Sequence, residues 1–114
     1  MRVAIVGSRE IEEMQLLREA IGDSKFDITH VISGGARGVD TLAEAWAKTN
    51  RIPITIFYAD WEKYGKGAGH IRNAEVVRHS QAMIAIRYDV SRGTQNAIEQ
   101  AKEQGISVFE KVVT

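Results

Sequence analysis

There is no cysteine among the 114 residues, and only one proline. The first absence removes disulfide frameworks, thiolate nucleophiles and thiolate metal sites, and it fits a cytoplasmic protein. The second argues against disorder or a long linker. Long apolar runs are missing too. The opening MRVAIVGSRE offers five apolar residues at positions 3–7, Gly7 included, too few for the core of a signal peptide. No stretch approaches the roughly 18 apolar residues of a spanning helix, so no membrane association is expected. Nor is there an excess of charge, with 15 basic residues against 15 acidic ones. A protein that mainly grips a nucleic-acid backbone usually carries surplus positive charge, so any positive potential here has to be local. His30, His70 and His79 show no metal-ligand spacing, and no metal site is expected.

What remains is enough for one domain, residues 1–114, with 44% hydrophobic residues to build a core. Residues 3–6, 29–33, 54–58, 82–86 and 106–109 are short runs, mostly apolar throughout. That pattern suits strands buried on both faces of a parallel sheet. Helix-length segments lie between them. Residues 10–21 place Ile11, Met14, Leu17 and Ile21 three or four apart, and Val39, Leu42, Ala43 and Trp46 repeat the spacing, with Trp46 expected in the core. Ile71, Ala74, Val76 and Val77 give a weaker third helix; Ala97, Ile98 and Ala101 give a fourth, closed by Gly105. The alternation predicts an α/β fold, a three-layer sandwich around a five-stranded parallel sheet.

In such sheets ligands bind outside the carboxyl ends of the strands, where the strand order reverses. Four loops fall on that edge: Gly7-Ser8-Arg9, residues 33–38, residues 59–69 and residues 87–94. They bring Arg9, Arg37, Arg92 and, at the start of the third helix, Arg72. Lys63, Lys66 and Arg87 lie near them, partly offset by Asp60, Glu62 and Asp89. A net-neutral chain is therefore expected to concentrate positive charge on one edge, which would focus potential toward an anion. The plainer alternative is that arginines favour surface loops and pair there with acids.

The most distinctive of these loops is SGGARGVD, residues 33–40. Gly34, Gly35 and Gly38 allow close approach to main-chain N–H groups, and the following helix directs its positive end to the same place. Ser33 adds a hydroxyl, and Asp40 is a candidate cap for the helix. A phosphate or carboxylate suits this environment; a tight strand-to-helix turn is the alternative. The run is neither a P-loop, lacking the glycine–lysine–serine/threonine sequence, nor the dinucleotide fingerprint, which places its glycines after the first strand. A second turn, Ser91-Arg92-Gly93-Thr94, opens the last helix, so two helix N-termini could contact two parts of one phosphorylated ligand. Asp60, Trp61 and Tyr64 place aromatic rings among charges, either to stack on a nucleobase or to plug a loop or subunit contact. No nucleophile with a neighbouring base is visible, and the catalytic residues, if any, are not identified.

SGGARGVDTLAEA, FYADWEKYGKGAGHIRN and IAIRYDVSRGTQNAIEQA together resemble the SLOG superfamily, a Rossmann-like group that includes DprA and the LOG enzymes. Within it the chain is similar to the small YspA-like, YpsA-related branch of bacteria and their phages. The resemblance implies a nucleotide-type ligand, no required cofactor, a homodimer, and residence in a bacterial or phage-infected cell. It also leaves single-stranded DNA binding in the DprA manner as a second possibility. LOG enzymes carry an arginine ahead of a GT-containing phosphate loop; Arg72, beside Asn73, matches the former and Gly93-Thr94 the latter. Their glutamate should stand three residues after Thr94, where this chain has Ala97. Asn96 precedes it, and Glu99 lies two residues further along, turned by roughly 200° on a helix. The anion-holding parts are thus present without the catalytic carboxylate, which favours a binding protein or sensor over a nucleotide-processing hydrolase.

Overall fold

A computed structural model of the chain describes residues 1–88 and 91–113. Asp89, among the acids weighed above, lies outside the described residues. Five parallel strands, β1 (Arg2–Gly7), β2 (His30–Ser33), β3 (Ile54–Ile56), β4 (Ala82–Arg87) and β5 (Ser107–Val112), form one sheet in the order β3-β2-β1-β4-β5. Helices α1 (Met14–Ser24), α2 (Val39–Thr49), α3 (Trp61–Tyr64), α4 (Ala68–Arg78) and α5 (Arg92–Glu103) connect them. This is the Rossmann-like α/β arrangement expected from the alternation.

The period of two along a strand divides the core in two. Val3, Ile5, Ile84 and Ile86 face one way and pack with Leu17 and Ala20 of α1 and Val39, Ala43 and Ala47 of α2. Ala4, Val6, Met83 and Ala85 face the other way, against Val76 and Val77 of α4 and Ala97, Ile98 and Ala101 of α5. Trp46 is half-buried against the first cluster, as its place in the stripe implied.

Several boundaries differ from the sequence expectation, each for a local reason. Helix α1 begins at Met14, because Glu13 is extended and supplies no cap; Ile11 is buried before the helix, its N–H bonded to the Ser8 carbonyl. Strand β3 stops at Ile56, and the edge segment that follows is not all loop. Asp60 accepts a hydrogen bond from the Lys63 N–H at 3.1 Å and starts α3, after which residues 65–67 form a 3₁₀ turn. Helix α5 ends in a Schellman motif: Gly105 has φ +75°, with Gly105 N–H on the Lys102 carbonyl and Ile106 N–H on that of Ala101. Helix α2 ends the same way, but with Arg51 at φ 56° where a glycine would be unstrained.

Strand order reverses between β1 and β4, so the loops leaving these two strands diverge. The crevice between them is where the edge loops meet.

Candidate functional site

A cavity of about 450 Å³ occupies that crevice, a size that small-ligand sites use. The loop after β1 contributes Gly7, Ser8 and Arg9, and the glycine loop contributes Gly34 and Asp40. Arg72 and Asn73 come from α4, and Ser91, Gly93 and Thr94 from the start of α5. Ten positions singled out in the sequence therefore line one space. The sequence reading missed Glu10 and Tyr88 on its walls and the apolar floor of Val6, Val76 and Ala97. Tyr88 follows β4 directly, so its place on the strand edge was the available signal.

A second groove of about 280 Å³ adjoins the first and shares Arg9, Ala36 and Arg72 with it. Here lie Gly35, Arg37 and Trp61, together with Tyr58, which was also missed. The remaining candidates line neither space. Ser33 is fully buried, its hydroxyl donating to Glu44 Oε2 at 3.1 Å and accepting from the Gly35 N–H. Gly38 is structural, Asp60 caps α3, and Tyr64 and Arg92 are exposed elsewhere. Among the other basic residues, Arg87 pairs with Glu110 and Lys63 lies over the Tyr64 ring.

The glycine loop turns out to be filled from within. An added Cβ on Gly34 would lie 2.8 Å from Arg72 Cδ and 3.0 Å from Asp40 Oδ2, so glycine makes room for the protein's own charged groups. Gly38 has φ +74°, and a Cβ there would overlap the backbone of Ser8 and Arg9. Asp40 does not cap α2, which begins at Val39; it lies in the first turn and folds back to accept from the Ala36 N–H at 3.1 Å. The Gly34 amide also favours its charged form. The anion at the N-terminus of α2 is therefore an internal carboxylate.

Burial pushes the Asp40 carboxyl up to about 6, opposed by the Ala36 and Gly34 amides and by Arg72. Arg72 is the counterpart. Its guanidinium donates to the Gly34 carbonyl at 2.7 Å and to Asn73 Oδ1 at 2.9 Å. Asn73 donates on to Asn96 Oδ1 at 3.0 Å and to the Gly93 carbonyl, and Gln100 donates to Asn96 from the far side. One polar chain thus ties the glycine loop to α5 through α4. Burial lowers the Arg72 pKa, Asp40 raises it, and the like charge of Arg9 lowers it again. Arg9 itself is exposed and forms no ion pair among the described residues.

The N-terminus of α5 differs from that of α2. Ser91 provides no side-chain cap, since its hydroxyl donates to Thr94 Oγ1 at 2.9 Å, and the first turn has no acid. Among the described residues nothing lies within 4 Å of a Cβ added to Gly93. The first amides of a helix have no intrahelical acceptor, and here Ser91, Gly93 and Thr94 line the cavity. Ala97, at the position of the LOG glutamate, is on the cavity floor, while Glu99 is exposed and held by Gln95.

A parallel sheet in the order β3-β2-β1-β4-β5, with a ligand-sized crevice at its reversal point, defines a Rossmann-like α/β protein. Residues 1–64 match the family model for the YspA, cpYpsA-related SLOG family, YAcAr. The chain is also 35% identical over 119 residues to the Gene 61 protein of Mycobacterium phage D29, covering 95% of this chain and 94% of that protein. It belongs to the YspA, cpYpsA-related SLOG family, the branch that its motifs resemble. The DNA processing protein A (DprA) of Streptococcus pneumoniae shares the fold, with a TM-score of 0.76 over 96% of this chain at 20% identity. This chain spans 49% of that structure's length. Among the described residues no helix is long and apolar enough to cross a membrane, and no group of three or more His, Cys, Asp or Glu could hold a metal ion.

Proposed function

We propose that the protein is a sensor or binding protein for a nucleotide or nucleotide-derived anion, held in the β1–β4 crevice. The observation that carries this reading is one open corner with a cation unpaired among the described residues. Exposed Arg9, whose charge acts against that of Arg72, lines the same space as the start of α5, which has no side-chain cap. Asp40 is drawn to the loop amides, and Glu10 is the opposing charge on the wall. A phosphate relieves the repulsion and accepts from the helix terminus. Val6, Val76 and Ala97 provide an apolar surface for the nucleoside. In this reading the phosphate rests on Ser91, Gly93, Thr94 and Arg9. The glycine loop acts indirectly by holding Asp40 and Arg72.

Thermal unfolding against AMP, ADP-ribose, NAD, cyclic dinucleotides and a short DNA strand tests it. A ligand at 100 times its Kd stabilises by about 2.7 kcal/mol, a shift of several degrees at this size. The shift should be lost in Arg9→Ala with the fold intact; an unchanged shift in that variant would remove the site assignment. DprA is by name a DNA processing protein, so the DNA strand has its own place in the panel. A shift with DNA alone, erased by salt, would replace the small anion with single-stranded DNA.

One observation favours a second reading. Asp40 is a buried carboxyl with a pKa near neutrality on the cavity wall, where an acid–base catalyst could act. Under that reading the protein is a hydrolase that releases free base or ribose phosphate from a bound nucleotide. Asp60, the other carboxylate considered for the role, is occupied in capping α3. Product release absent from wild type, or equal in wild type and Asp40→Asn, would exclude Asp40 catalysis.

A further inference from the structure

The second groove carries two exposed aromatic rings. Tyr58 is 71% exposed and Trp61 52% exposed, which is unusual for rings of this size. Both are nevertheless supported from beneath by glycine. A Cβ added to Gly35 would lie 2.5 Å and 2.6 Å from two carbons of the Tyr58 ring, so that ring rests directly on the loop backbone. A Cβ added to Gly69 would be 3.5 Å from Trp61 Cη2, placing the indole against the first turn of α4. Each ring is thus backed by main chain and bare toward solvent. Arg37 lines the same groove, exposed and without an ion pair among the described residues.

Two spaces, one with a helix N-terminus and one with aromatic rings, share a wall that holds Arg9 and Arg72. We infer that the site is bipartite and that its ligand is a dinucleotide: one nucleoside in the β1–β4 cavity, a bridging pyrophosphate at Arg9 and the N-terminus of α5, and the second base on Tyr58 and Trp61. A mononucleotide fills the first space and leaves the rings bare. The two halves favour this occupant on different grounds, since the first supplies anion contacts and the second supplies stacking surface with a spare cation. The inference rests on the reading of the first cavity as a nucleotide site.

The test compares full-length protein with ADP, with the P1,P2-linked diadenosine and diguanosine diphosphates, and with a two-nucleotide deoxyoligonucleotide. Titration calorimetry gives affinities, and tryptophan fluorescence reports on Trp61, with Trp61→Phe identifying its share of the signal against Trp46. One of the linked dinucleotides is expected to bind at least about tenfold more tightly than ADP, as one added base stack implies, and to quench Trp61. Tyr58→Ala and Trp61→Ala should each reduce that advantage while leaving ADP affinity unchanged. If ADP binds as tightly as both linked dinucleotides and Trp61 is not quenched, the bipartite site is overturned and the nucleotide reading survives. If the deoxyoligonucleotide binds best and its affinity collapses with salt, the occupant is nucleic acid and the dinucleotide inference falls. Absence of binding by every probe overturns the underlying reading and this inference with it.

Discussion

Two strand-to-helix turns on the same sheet edge have reached opposite solutions. The turn before α2 holds three glycines, and the space beside Gly34 is taken up by Asp40 and Arg72. The turn before α5 holds one glycine, and no described residue comes within 4 Å of a Cβ added there. At α2 an internal carboxylate accepts from the loop amides; among the described residues α5 has no side-chain cap and no acid in its first turn. In the turn before α2 the glycines therefore make room for backbone and side chains that crowd together, whereas the uncapped helix terminus at α5 can accommodate something from outside. The richer motif is the scaffold, and the poorer one is the better candidate for ligand contact.

The sharpest way to break this contrast is Gly38→Ala. Its φ of +74° and the overlap with the Ser8–Arg9 backbone combine strain and overpacking. About 3 kcal/mol or more should be lost in urea unfolding. A near-neutral variant would mean that the β1 loop can retreat and that the turn is not tightly packed.

Arg72→Ala comes next. It removes the hydrogen bond to the Gly34 carbonyl and leaves Asp40 buried without its cation. A loss of roughly 2–3 kcal/mol is expected, together with a further rise in the Asp40 pKa and loss of anion binding. Arg72→Lys restores charge without the fork and should recover only part of either property.

Asp40 gives the contrast a pH signature. Its folded pKa of about 6 exceeds the unfolded value of about 3.9, so the folded state binds the extra proton. Stability from this group is full below about pH 4 and is lost as pH rises through about 6, by roughly 2–3 kcal/mol in all. Asp40→Asn should flatten that slope in melts recorded from pH 4 to 7.5. Loss of the internal anion should also raise phosphate affinity at pH 7.5. An unchanged slope would assign the pH dependence to other groups.

The smallest expected effect is at the open turn. Gly93→Ala places a Cβ in a helix where no described residue lies within 4 Å, so stability should rise by about 0.4–1 kcal/mol. Nucleotide affinity should fall about tenfold if a phosphate approaches the amides of that turn. A gain in stability with no change in affinity would move the phosphate away from α5.

Much of the fold was legible because its signals are local. Apolar runs separated by helix-spaced stripes fixed five strands and the main helices, and Gly105 closed α5 as its position implied. Where the reading failed, no local signal was present: α1 begins late because Glu13 provides no cap, and α3 depends on a single Asp60 cap within a polar, glycine-rich segment. The site was half legible. Strand-edge logic brought Arg9, Asp40, Arg72, Asn73 and the start of α5 to one cavity, but Arg37 and Arg92, the arginines that the adjoining glycines favoured, do not line it. Arg92 is exposed and lines neither space, and Arg37 lines the neighbouring groove.

The sequence by itself determined the alternation of strands and helices, the edge that carries the loops, and the arginines available there, because each depends on the spacing of neighbouring residues. Tertiary structure decided which glycines are filled and which are open, and it gave Asp40 its proton affinity. Those outcomes depend on groups far apart in the chain: Arg72 reaches the Gly34 carbonyl across 38 residues, and the Tyr88 N–H reaches Ser8 Oγ across 80. No local pattern encodes such pairs, since whether a space is empty is a property of everything packed around it.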